Sequence, residues 1–287
     1  SFPMSILNAY SILRPKKPEL IIDAGAYGAM TSMLLGCRCI VFSDSEQTPV
    51  QLLLLSMFVD VILTPECFSR DLGRRHFRVN SYKELAYLHP DRFKPDSSIL
   101  NVLGLSLGEE FVVLRLNAFD ALHDLGIRGF SLHERRKLVH EIAQHCRVFI
   151  SSESDLPDDL ASYLLKIPKS KIHDVLYYAK LVIADTGTMI TEAACLGTPA
   201  VLYHPSARRF GNFVELEQDY GLIFGFDNST KAIDAAIRLA AGPDVRKEWR
   251  SRRDKMLADK IDFSLFLTSL IEHSPDSIET LLQSNED

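Results

Sequence analysis

Residues 184–199 read Ala-Asp-Thr-Gly-Thr-Met-Ile-Thr-Glu-Ala-Ala-Cys-Leu-Gly-Thr-Pro, an order that suits the binding of an anion. A short apolar strand, 181–184, runs into small residues, turns on Gly187 and opens a helix that closes at Gly197. At a helix start the first backbone N–H groups have no partner within the helix, and the aligned peptide dipoles favour negative charge. Thr186, Gly187, Thr188 and Met189 are therefore placed to meet a phosphate group. Glu192, about one turn further on, is placed to accept from ribose hydroxyls. A nucleoside diphosphate suits both features. An ordinary strand–turn–helix crossover has the same outline, with Thr186 or Thr188 as helix caps and Glu192 as a solvated side chain. The local pattern leaves both readings open.

A diphosphate needs more than a helix terminus, which contributes only about 0.3–1 kcal/mol. Arg115 lies near the C-terminal end of the apolar strand 111–116, where open parallel sheets bind ligands, and its guanidinium suits a phosphate. His204, Arg208 and Arg209 follow the strand 200–203 and are further candidates. A structural salt bridge for Arg115 and a solvated loop for Arg208 and Arg209 are the alternatives. The loop after Arg115 also carries Asn117, Asp120, His123 and Asp124. In the N-terminal half, Asp23 ends one strand, Asp44 follows the next, and Glu46 lies close by. A carboxylate at such a strand edge can take the proton of a hydroxyl, so these three are the candidate catalytic residues. Loop capping is the structural alternative.

Other chemistries find no pattern. Gly25-Ala-Tyr-Gly28 lacks the third glycine and the acidic partner of a dinucleotide fingerprint. The sequence has no Walker motif, no metal-binding histidine pair and no Gly-x-Ser-x-Gly elbow. The expectation is no metal and no cofactor.

The elements that must position these residues alternate. Apolar runs at 20–24, 39–42 and 61–64 read as strands, with helices over 5–14, 26–35 and 47–58. Residues 78–100 lack periodicity and read as a linker. A second series follows, with strands at 111–116, 147–151, 181–184, 200–203 and 222–226 and helices between them. Such alternation predicts parallel sheets with helical cover. The implied organisation is a partial N-terminal Rossmann-like domain with linker over 1–100, a nucleotide-binding Rossmann-like domain over 101–258, and a helix and tail over 259–287. The first half shows only about three strands, so the chain is expected to begin inside a domain.

The 287 residues carry 32 basic and 38 acidic side chains, a net charge of −6, which does not suit general nucleic-acid binding. No apolar run reaches the length of a membrane span, and Ser-Phe-Pro-Met shows no signal-peptide pattern. Five cysteines without a Cys-x-x-Cys pair argue against a disulfide framework, and Cys37 and Cys39 read as small hydrophobes. The cytoplasm is the expected compartment, and a homo-oligomer is compatible with the sequence.

The segment Asp185-Thr-Gly-Thr-Met-Ile-Thr-Glu192-Ala resembles the Asp-Ser-Gly-Gly-x-x-Glu-Glu-Ala signature of the UDP-N-acetylglucosamine 2-epimerases. Glycosyltransferases of the GT-B type share a similar segment, including Leu-Gly-x-Pro, here 196–199. The segments 82–90, 150–153, 172–179 and 217–222 extend the resemblance to an uncharacterised bacterial and archaeal family of GT-B-like proteins. The resemblance implies a GT-B-like fold, two Rossmann-like domains facing a cleft, with a UDP-sugar as substrate in the C-terminal half. It implies that Gly187 and Thr188 meet the diphosphate and Glu192 the ribose, and that the N-terminal half holds a carbohydrate or lipid-linked acceptor. It implies glycosyl transfer in surface polysaccharide biosynthesis, with sugar-nucleotide epimerisation or non-catalytic nucleotide-sugar binding as alternatives. The signature's second glycine is Thr188 here and its first glutamate is Thr191. The epimerases' His-Val-Glu-Ala-Gly segment, which falls near Phe42 to Glu46, is not preserved. These departures favour the transferase.

Overall fold

The computed structural model describes residues 2–46, 57–106, 108–116, 129–152 and 155–284. Most of the helix expected over 47–58, the loop residues Asn117, Asp120, His123 and Asp124, and Glu153 lie outside the described residues. The chain divides into two units. One comprises Ser1–Lys83, Phe210–Asn212 and Ile261–Asp287, the other Glu84–Arg209 and Phe213–Lys260.

The first unit holds four parallel strands, β1 (Leu20–Asp23), β2 (Arg38–Phe42), β3 (Val61–Pro65) and β4 (His76–Val79), in the order β1-β2-β3-β4. β3 is buried along its whole length and β2 along all but its first residue, the continuous apolar run of a sheet covered on both faces. The helix Ala26–Leu35 connects β1 to β2 and ends at Gly36, whose φ of 69° is the left-handed conformation that glycine adopts without strain. β4 was not foreseen. It is held to β3 by the ladder and by a 2.7 Å hydrogen bond between Thr64 Oγ1 and His76 Nε2. Residues 261–284 pack on this unit. Ile261 N donates to Asn80 O (2.9 Å), Ser81 Oγ donates to Ile261 O (2.8 Å), and Phe263 meets Phe42 edge-on at 4.9 Å. The helices Phe263–Glu272 and Asp276–Ser284 follow.

The second unit holds five parallel strands, β5 (Phe111–Leu116), β6 (Arg147–Ser152), β7 (Leu181–Ala184), β8 (Ala200–Tyr203) and β9 (Ile223–Phe226), in the order β6-β5-β7-β8-β9. Its core joins the sheet residues Val112, Leu114, Ile183 and Val201 to Leu138 and Ile142 of the helix Leu132–Ile142 and Ala236 of the helix Ser229–Ala241. Burying each large aliphatic side chain contributes about 1.5–3 kcal/mol. The helix Leu132–Ile142 starts where Ser131 and Glu134 satisfy each other's backbone amides in a capping box.

The chain thus forms two Rossmann-like parallel sheets with helical cover, as the alternation of apolar runs predicts. Their strand orders differ in one respect. The first sheet winds in a single direction. The second reverses: from β5 the chain moves outward to β6, then returns to the other side of β5 for β7, β8 and β9.

Candidate functional site

Because the five strands of the second sheet are parallel, Arg115, Ser152, Ala184, Tyr203 and Phe226 all lie at its C-terminal edge. A crevice opens where strand order reverses, and ligands of open α/β sheets bind there. In this sheet that position lies between β5 and β7, which pair with Arg115 opposite Ala184. Arg115 is partly buried, and its Nη1 donates to Ser151 Oγ at 3.2 Å.

Asp185 follows β7 and turns inward. It is 1 % exposed, accepts from Phe130 N at 3.3 Å and lies 4.0 Å from Arg135 Nη2. Arg135 Nε donates in turn to Phe130 O at 2.8 Å. A buried carboxylate needs such partners, so Asp185 anchors the turn to the segment before the helix Leu132–Ile142. Gly187 is the N-cap of the helix Thr188–Leu196. A β-carbon on Gly187 would stand 2.5 Å from the tip of the Phe213 ring, so packing requires glycine there. Gly187 O accepts from Ile190 N and Thr191 N at 3.0 and 3.1 Å. The amides of Gly187, Thr188 and Met189 have no acceptor among the described residues, and neither Thr186 nor Thr188 uses its hydroxyl as a cap. Thr188 is exposed, and Thr186, Gly187 and Met189 are partly so. An open helix start faces the sheet edge.

Glu192 is buried on the same helix but is not solitary. Its Oε1 accepts from Tyr87 Oη at 3.0 Å and from His173 Nε2 at 3.1 Å. The rings of Tyr87 and His173 lie 5.4 Å apart, and Phe93 meets His173 edge-on at 6.1 Å. Burial, with the carboxylates of Glu192 and Glu84, pushes the ionisation of Tyr87 far above the usual range, so its hydroxyl remains a donor. Neither Tyr87 nor His173 was among the candidates from sequence. Both lie in the segments that carry the family resemblance, 82–90 and 172–179. His204 uses its Nδ1 to accept from Ser206 N at 3.1 Å, which shapes the loop after β8. Arg208 is exposed and makes no ion pair among the described residues.

The three carboxylates of the first unit have different surroundings. Asp23 accepts from Ala24 N at 2.8 Å and Gly28 N at 2.6 Å, closing the start of the helix Ala26–Leu35. Glu46 is 1 % exposed, and its oxygens accept separately from Ser69 N at 2.7 Å and Gly211 N at 2.9 Å. Both residues therefore serve the backbone. Asp44 is bound to no backbone amide among the described residues. Its partly exposed carboxylate pairs with Lys83 Nζ at 2.5 Å. None of the five cysteines forms a disulfide among the described residues, and burial pushes the Cys39 thiol up to about 11.

No protein-family model matches the chain, and no curated protein matches it. Solved structures do. A complex of S. aureus MnaA with UDP shares 12 % identity over 97 % of this chain and 82 % of that one, with a TM-score of 0.66. A putative UDP-N-acetylglucosamine 2-epimerase from Listeria monocytogenes shares 12 % identity over 96 % and 79 %, with a TM-score of 0.63. The spinosyn forosaminyltransferase SpnP shares 14 % identity over 93 % and 80 %, with a TM-score of 0.56. The fold is GT-B-like, common to epimerases and glycosyltransferases of this architecture. No helix among the described residues is long and apolar enough to cross a membrane.

Proposed function

We propose that this chain is a GT-B-type glycosyltransferase that takes a UDP-sugar and holds its nucleotide in the second unit. The observation that carries this reading is the open helix start at Gly187 beside Arg115, where the strand order of the second sheet reverses. The amides of Gly187, Thr188 and Met189 donate to the diphosphate. Arg115 and Arg208 add the positive charge that a helix terminus alone does not supply. As the glycosidic bond breaks, negative charge grows on the departing diphosphate, and donors already aimed at that position stabilise it. Glu192 accepts from the ribose. Uridine is favoured because neighbours of the same fold are described as a UDP complex and as UDP-N-acetylglucosamine 2-epimerases. Asp44 is assigned as the base that takes the proton of an acceptor hydroxyl, carbohydrate or lipid-linked, in cytoplasmic surface-polysaccharide assembly.

Thermal shift with UDP, GDP and CMP tests the nucleotide assignment. UDP raises Tm, and Arg115→Ala weakens UDP binding by roughly 10-fold or more, the loss of a charged hydrogen bond. A chain whose Tm none of the three moves is not a nucleotide-sugar protein. A second reading, sugar-nucleotide epimerisation, draws on the higher TM-scores of the putative Listeria epimerase and of S. aureus MnaA. The two readings part when UDP-N-acetylglucosamine is incubated with protein alone and its C2 centre is followed by NMR. Inversion without an acceptor makes the chain an epimerase. Binding without turnover on any acceptor leaves a nucleotide-sugar binder.

A further inference from the structure

We infer that Tyr87 and His173 are positioning residues that aim a single oxygen of Glu192 at the ribose, so that the second unit selects ribonucleoside over 2′-deoxyribonucleoside diphosphates. This rests on the reading that the second unit binds a nucleoside diphosphate.

Both donors converge on the same atom. Tyr87 Oη and His173 Nε2 reach Glu192 Oε1 at 3.0 and 3.1 Å. Glu192 Oε2 has no partner among the described residues. No side-chain nitrogen or oxygen described is both fully buried and without a hydrogen bond, so Oε2 keeps access to solvent. One oxygen is thus fixed by the protein and the other is offered outward. An unassisted glutamate on a helix rotates freely and loses that freedom only on binding. This one is fixed before any ligand arrives.

The two donors come from separate segments. Tyr87 lies in the short helix Leu85–Leu88, and His173 in the helix Ile172–Tyr178. Burial keeps the Tyr87 hydroxyl protonated, as required of a donor. The 3.1 Å approach of Nε2 to Oε1 is a donated hydrogen bond when the imidazole carries its proton on Nε2. Phe93 and Tyr87 pack against the imidazole and fix its plane.

The placement along the helix suits a nucleotide. Thr188 and Glu192 are four residues apart and share a helix flank, separated by about 6 Å along the axis. That is comparable with the reach from the 5′-phosphates of a nucleotide to its ribose hydroxyls. A diphosphate at the open amides therefore sets its ribose near Oε2.

Titrations of the whole chain with UDP and with 2′-deoxy-UDP test this. The wild type is expected to favour UDP by about 10- to 100-fold, the worth of a hydrogen bond to a charged group. Tyr87→Phe and His173→Ala are expected to bind 2′-deoxy-UDP within about 2-fold of the wild type while losing most of the preference for UDP. His173→Gln, which keeps an N–H donor, recovers part of it. A merely structural role lowers both affinities together and leaves their ratio unchanged, and that result overturns the inference. Should His173→Ala fail to fold, Tyr87→Phe, which keeps the ring, decides alone. A wild type that binds both nucleotides equally overturns the selectivity and leaves the diphosphate assignment standing. A wild type that binds neither overturns both.

Discussion

His76 shows how a single side chain ties the first unit to pH. Its ring is enclosed, with Nε2 2.7 Å from Thr64 Oγ1, while Nδ1 accepts from Leu72 N at 3.2 Å. Burial lowers its pKa, and the positive charge of Arg78 acts in the same direction, against a weaker opposing pull from Asp71. The folded chain therefore binds fewer protons at this site than the unfolded chain, whose histidine titrates near about 6.5. Stability from this group is fully present above that pH and is lost as pH falls below it. Tm is expected to hold steady between pH 8 and 7 and to fall between pH 6.5 and 5, with His76→Gln showing a shallower fall. Equal slopes for wild type and variant would remove His76 as the cause. The carboxylates act lower on the scale. Lys171 and Ser98 hold Asp96 down to about 2, and Arg136 lowers Asp159, so these pairs weaken only in stronger acid.

At the scale of elements, the start of the helix Thr188–Leu196 depends on its packing against the helix Gly211–Gln218 as well as on its own sequence. The tip of the Phe213 ring occupies the volume that a side chain at Gly187 would need. Gly187→Ala is expected to cost about 1–3 kcal/mol through overpacking. Phe213→Leu in the same chain is expected to return part of that loss, because it removes the ring tip that the added methyl meets. Urea denaturation of both single variants and the pair measures it, and strict additivity would show that the ring is not the obstacle. The glycine was legible in the sequence, because a small residue between an apolar strand and a helix marks a tight turn. Its packing reason was not, since Phe213 lies 26 residues downstream. The same limit hid the partners of Glu192: Tyr87 is 105 residues away and His173 is 19. Local spacing suggested Asp23 and Glu46 as reactive carboxylates, but only the folded chain shows the backbone amides they accept from. β4 escaped notice because His76-Phe-Arg-Val is short, carries a charge, and is apolar enough for a strand only once its histidine meets Thr64.

At the scale of the whole molecule, the two sheets are alike in construction and differ in where they can hold a ligand. Long apolar runs made the parallel strands readable one by one. The order in which they assemble is a property of long-range pairing, and it places the reversal in the second sheet alone among the described strands. That difference has a direct consequence for amide exchange. In the free chain the N–H groups of Gly187, Thr188 and Met189 have no acceptor among the described residues, so they should exchange quickly although they begin a well-buried helix. A bound diphosphate supplies their acceptors. UDP at 100 times its dissociation constant stabilises the folded chain by about 2.7 kcal/mol. Under those conditions, hydrogen exchange is expected to slow most over 185–192 and at the end of β5, and least along β2 and β3. If these three amides stay fast with UDP saturating, the diphosphate does not sit on this helix start. If the greatest slowing falls instead on β2 and β3, the nucleotide belongs to the other sheet, and the reversal of strand order between β5 and β7 does not locate the ligand.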